Sequence, residues 1–148
     1  MIDSKGEVAA IELSEMAEAV NAALEDNTPC VLATASKDGV PDIGFKGSMM
    51  VFDNDHLAYW ERSRGQHLDN VRENPRVAVL YRNSERGRLH WRFYGEAELH
   101  ADGDLRETIM GRVVQRELDS DPERKGIAVV VRVDRVFSSR QLIQERKA

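Results

Sequence analysis

The chain has a single cysteine, Cys30, so no intrachain disulfide can hold it together. Set in the apolar stretch Cys30–Ala35, this thiol reads as a buried core group rather than a nucleophile. No apolar run approaches membrane-spanning length, and the opening residues, which include Asp3 and Glu7, lack a secretory hydrophobic segment. A cytoplasmic location with no membrane partner is therefore expected. Basic residues are not in excess: 21 Lys and Arg stand against 26 Asp and Glu, for a formal charge of −5. That balance disfavours a nucleic-acid surface, although it leaves room for a local basic pocket. The four histidines, His56, His67, His90 and His100, show no compact ligand spacing, so no metal is expected. No Gly-x-Gly-x-x-Gly signature marks a separate nicotinamide-binding unit. Repeats and low-complexity linkers are absent. A chain of 148 residues is long enough for one core, so a single domain over 1–148 is expected, with frayed ends at Met1–Glu7 and Gln144–Ala148.

What is present is mostly strand. Ser14 reads as the cap of a helix over Glu15–Asp26, whose Met16, Ala19, Val20, Ala23 and Leu24 recur at helical spacing. Asn27-Thr28-Pro29 breaks it. Strands are then expected at Cys30–Ser36, Asp42–Phe52, His56–Arg62, Arg76–Tyr81, Arg88–His100 and Gly126–Arg140. Lys37-Asp38-Gly39, Asp53-Asn54-Asp55 and Glu85-Arg86-Gly87 supply turns between some of them. In the second strand, Ile43, Phe45, Gly47, Met49 and Val51 share one face, with Lys46 and Ser48 opposite. Gly95 interrupts the fifth strand and signals curvature, a bulge or a close approach. Helices are expected at Arg64–Glu73, closed by Pro75, and at Gly103–Leu118. Closely spaced strands with single intervening helices favour an all-β-dominated antiparallel barrel, closed or partly split, over a doubly wound sheet.

Several stretches, in order, resemble the FMN-binding split-barrel family related to pyridoxamine 5′-phosphate oxidase. They are Val31-Leu32-Ala33-Thr34-Ala35-Ser36-Lys37-Asp38-Gly39-Val40-Pro41, Leu57-Ala58-Tyr59-Trp60, the Arg62–Asn70 segment and Glu73-Asn74-Pro75-Arg76-Val77-Ala78-Val79-Leu80. Phe93-Tyr94-Gly95-Glu96-Ala97-Glu98-Leu99 and Val131-Arg132-Val133-Asp134-Arg135-Val136 complete the likeness, which spans roughly residues 28–137. It implies a six-stranded Greek-key split barrel with flanking helices, forming a homodimer with FMN in clefts shared by the protomers. It places the flavin ring beside Phe45, Lys46, Gly47, Ser48 and Met49, the phosphate near Glu61–His67, and a flavin-facing polar residue at His90. The chain departs from true pyridoxamine-phosphate oxidases in three ways. Gln66-His67 replaces an Arg-Lys pair, Gly44 replaces an arginine, and the closing Arg-x-His motif has no counterpart in Gln141–Ala148. Vitamin B6 oxidation is therefore not the expected activity.

The residues support an anion site on their own account. Ser63-Arg64-Gly65-Gln66 fits a capping box, with Ser63 as cap and Gln66 reaching back. Free N–H groups of the first turn, the helix dipole, Arg62, Arg64 and His67 would together attract phosphate. On spacing alone the same residues are a helix cap and solvated charges. Lys46 is either an edge-strand lysine or a cation near the flavin's pyrimidine side or its phosphate, and Gly47 permits close backbone approach. His90 is either an interface histidine or a flavin-side proton relay. Met49, Met50, Trp91 and Phe93 read as core, while Trp60 and Tyr94 could wall a cleft. The expected function is an FMN-dependent oxidoreductase acting on a small organic substrate, with NAD(P)H as a candidate reductant. The alternatives are a non-catalytic electron carrier or redox sensor, and a reductase that binds F420 in place of FMN.

Overall fold

The computed structural model describes residues 8–147. A 3-10 turn, Leu13–Met16, runs into a short helix α1 (Ala17–Asn21). The strands are β1 (Cys30–Ala35), β2 (Pro41–Lys46), β3 (Met50–Val51), β4 (His56–Glu61), β5 (Arg76–Asn83), β6 (Leu89–His100), β7 (Ile127–Ser138) and β8 (Gln141–Glu145). Helix α2 (Gln66–Glu73) follows β4, and α3 (Asp104–Met110) and α4 (Gln115–Asp119) lie between β6 and β7. The strands form one antiparallel sheet in the order β2-β1-β5-β6-β7-β4-β3, with β8 also paired to β7.

This is the expected mostly-β half-barrel with flanking helices, but with eight strands rather than six. The expected second strand is cut in two, because the chain turns at Gly47-Ser48 and the Met49 N–H bonds the Lys46 carbonyl. The eighth strand runs into the tail expected to fray, taking in Gln144 and Glu145. There Gln144 is buried and its side chain both accepts from Glu12 N (2.9 Å) and donates to Glu12 O (3.0 Å). The other segment expected to fray, Met1–Glu7, lies outside the described residues, as does Ala148.

Helix boundaries also moved. Ser14 caps nothing, and the first helical segment ends at Asn21, with turns up to Asn27. Its expected apolar face is nonetheless real, since Met16, Ala19, Val20 and Ala23 are buried. The expected helix over Gly103–Leu118 breaks after Met110 into α3 and α4.

Alternation along the strands builds two cores. Leu32, Leu57, Tyr59, Val79, Phe93, Val131 and their neighbours fill the inside of the half-barrel. On the opposite face of β4 and β7, Ala58, Trp60, Ala128 and Val130 pack under Ile109 and Leu118 of α3 and α4. Trp60 therefore does not wall a cleft: it is buried, with its Nε1 donating to Asp121 Oδ2 at 2.8 Å. Cys30, Met49, Met50, Trp91 and Phe93 are core, and burial pushes the Cys30 thiol up to about 12. Gly95 marks a register shift in the β6–β7 ladder, and a Cβ there would lie 2.0 Å from the Arg132 carbonyl oxygen. Close approach and bulge occur together at this glycine.

Candidate functional site

Antiparallel pairing of β1 with β2 sets Thr34 opposite Asp42, Leu32 opposite Gly44 and Cys30 opposite Lys46. These residues share the inner face, because directly paired residues point the same way. Ile43 and Phe45 consequently face outward. Helix α2 packs over β1 and β2, bringing His67 down onto Gly44, where a Cβ would lie 3.2 Å from His67 Nε2.

The β2 end of the sheet path approaches β4, the strand next to its other end. Lys46, the last residue of β2, reaches Glu61, the last residue of β4, with Nζ 2.8 Å from Oε1 and 2.7 Å from Oε2. Ser63 Oγ donates to the same Oε2 at 3.0 Å. Glu61 is fully buried, so its carboxylate draws its stabilisation from these partners rather than from water. Lys46 also lies 5.7 Å from the centre of the Tyr59 ring.

The capping box is not formed. Gly65 is the cap of α2, and no side chain bonds the cap N–H groups. Ser63 is drawn to the Glu61 carboxylate, a charged acceptor stronger than a neutral one. Gln66 instead donates forward to Asn70 Oδ1 at 2.8 Å. The amides of Gln66 and His67 precede the first turn's own bonds, which are donated by Leu68 and Asp69 to the Gly65 carbonyl.

The two arginines of this loop have different partners. Arg62 Nε is 3.7 Å from Glu117 Oε1, while Arg64, in the left-handed region at φ 51°, donates to the neutral Lys125 carbonyl. His67 Nδ1 lies 2.7 Å from Thr34 Oγ1, and its Nε2 lies 3.8 Å from Asp42 Oδ2. Burial lowers the His67 pKa below the usual imidazole value; Asp42 and Glu61 raise it and Lys46 lowers it, and burial prevails.

Lys46, Glu61, Ser63, Gln66 and His67 are thus brought together, with Arg62 and Arg64 on the same loop. Other residues from the expected set lie elsewhere. Gly47 faces Glu117 and Leu24, each 3.1 Å from where a Cβ would stand. Ser48 is buried, donating to Trp60 O and accepting from Trp60 N, and Met49 is in the core. Phe45 is on the outer face. His90 is the second residue of β6, opposite Arg82, in a concavity of about 320 Å³ shared with Arg88 and Ser139. A neighbouring hollow of about 410 Å³ joins Arg82 to Phe45, Val31 and Leu80. Sequence reasoning missed Thr34, Asp42 and Asn70. The i, i+4 spacing of Gln66 and Asn70 was the available signal for one of them.

A half-barrel whose open side meets a helix start carrying arginines defines a split-barrel protein. The family model described as pyridoxamine 5′-phosphate oxidase matches residues 16–139, and the chain belongs to that family, within the FMN-binding split-barrel superfamily. A crystal structure of HupZ from Group A Streptococcus is 26% identical with a TM-score of 0.67, covering 90% of this chain and 97% of that one. An uncharacterized protein of Methanocaldococcus jannaschii is 28% identical over 115 residues, 76% of this chain and 74% of that protein. An FMN-binding protein from Syntrophomonas wolfei shares the fold at 14% identity, with a TM-score of 0.60 over 83% of this chain and 85% of that one.

Proposed function

We propose that this chain binds FMN as a homodimer and acts as an oxidoreductase on a small organic substrate, with NAD(P)H as the candidate reductant. The observation that carries the reading is the loop Glu61–His67 on a family scaffold. Arg62 meets the Glu117 carboxylate at 3.7 Å, Arg64 donates to the neutral Lys125 carbonyl, and both precede by a few residues amides that lack intrahelical partners. That is the chemistry a phosphate monoester needs. Lys46 is committed to Glu61, so the anion-binding charge comes from Arg62 and Arg64 instead. Bound FMN supplies hydride or single-electron transfer, and the chain's part is to hold its phosphate and exclude water from the ring.

The outer face supports the dimer. Ile43 and Phe45 are 70% and 72% exposed, and the register sets them beside Val31, Ala33, Ala78 and Leu80. A continuous apolar sheet face of this kind is what a second copy would cover.

The test is a pair of titrations, with FMN and with riboflavin, on wild type and on Arg62→Ala/Arg64→Ala. The variant is expected to lose about 1.5–3 kcal/mol for FMN per phosphate contact removed and little for riboflavin. Equal losses for both ligands would remove these arginines from the phosphate site. Mass spectrometry of the natively bound molecule separates FMN from F420, and sedimentation of the loaded protein as a monomer would defeat the dimer.

A further inference from the structure

Thr34 is buried, and its hydroxyl has two side-chain partners. Asn70 Nδ2 donates to Thr34 Oγ1 at 3.0 Å, and His67 Nδ1 lies 2.7 Å from the same oxygen. At its other end the Asn70 amide meets Gln66, with Oδ1 accepting from Nε2 at 2.8 Å. An amide nitrogen only donates, so the Thr34 oxygen is the acceptor in that contact. The hydroxyl's one partner able to accept its proton, among the described residues, is His67 Nδ1. A neutral imidazole that accepts at Nδ1 carries its own proton at Nε2.

The direction of that N–H matters. Asp42 Oδ2, at 3.8 Å, is beyond hydrogen-bond range. Gly44 lies close beside Nε2: a Cβ there would stand 3.2 Å from it and press on the ring. His67 stands in the first turn of α2, whose cap is Gly65.

We propose that Asn70 and Thr34 are positioning residues that hold His67 as the Nε2–H tautomer, and that this N–H donates to a phosphoryl oxygen of the ligand. The proton placement stands on the hydrogen-bond directions alone, while the identity of the acceptor rests on the flavin reading above. Asp42, the nearest carboxylate, opposes an anion at that position. Removing its charge therefore tightens binding.

Nitrogen-15 chemical shifts of the imidazoles, with the His67 signals assigned by His67→Gln, read the tautomer directly in ligand-free protein. The expected result is an unprotonated Nδ1 and a protonated Nε2, retained in Thr34→Ser and lost in Thr34→Val. In matched titrations, Thr34→Val and Gly44→Ala should each weaken FMN by about tenfold and riboflavin little, whereas Asp42→Asn should strengthen FMN several-fold. A protonated Nδ1 in the wild type overturns the positioning role, whatever the ligand. The expected tautomer with FMN affinity unchanged in Thr34→Val and Gly44→Ala overturns the donor role. Failure of the wild type to bind either flavin overturns the flavin reading and the donor role with it, and the nitrogen shifts still decide the positioning role.

Discussion

Lys46 and Glu61 form a buried ion pair, 2.7 Å from Nζ to Oε2, with side-chain exposures of 12% and 1%. The pair ties the end of β2 to the end of β4 where no strand ladder joins them. Because Glu61 has little access to water, removing the lysine strands a carboxylate in low dielectric with only Ser63 left to donate to it. Lys46→Met is expected to cost about 3–5 kcal/mol in urea unfolding, and Lys46→Met/Glu61→Leu to recover most of that. A double variant as unstable as the single would show that the cost comes from lost packing, not from the unpaired charge.

Gly95 and Gly111 make a contrasting pair. At Gly95 a Cβ would collide with backbone, 2.0 Å from Arg132 O and 2.9 Å from the carbonyl carbon, so Gly95→Ala must open the β6–β7 ladder. At Gly111, φ is −65° and the nearest atoms are 3.6 Å away. Thermal unfolding should show Gly95→Ala losing about 3 kcal/mol, the upper end for overpacking, with Gly111→Ala within about 1 kcal/mol of wild type. Similar melting temperatures for the two would contradict this account of the bulge.

Asp121 supplies a pH dependence. Burial alone would raise its pKa, but hydrogen bonds from Lys125 N, Trp60 Nε1 and Gly126 N outweigh burial, with help from Arg124, and the carboxyl is held below its ordinary 3.8. A carboxylate with a depressed folded pKa stabilises the fold above the unfolded value. That contribution fades as pH falls from there through the lower folded value. Asp121→Asn should be less stable than wild type by about 1–3 kcal/mol at pH 7, and the gap should narrow below pH 4. Urea titrations at both pH values check it. A constant gap would mean that the loss reflects geometry rather than ionisation.

Much of the fold was legible from local pattern. The alternation in Cys30–Ala35 and Leu89–His100, the isolated Gly95 and the turn at Asp53-Asn54-Asp55 act over a few residues, where strand periodicity and backbone sterics dominate. The same logic overextended the second strand. Gly47-Ser48 fits a period-two pattern as well as a turn, and Ser48's buried bonds to Trp60 reach twelve positions along the chain. The Ser63 cap failed for a related reason. A capping box assumes that the hydroxyl has only its own helix to serve, and the folded chain offers it Glu61 instead.

The sequence by itself determined the strand-rich architecture, the family to which the chain belongs and the segment in which its arginines gather. Each depends on residue order or on neighbours within a turn of one another. Only the tertiary structure decided how the polar side chains are spent. Lys46 neutralises Glu61, His67 and Asn70 of α2 converge on Thr34 of β1, and Ile43 and Phe45 are left facing outward. A carboxylate or hydroxyl bonds whichever donor folding brings within about 3 Å, and those donors come from other strands and helices.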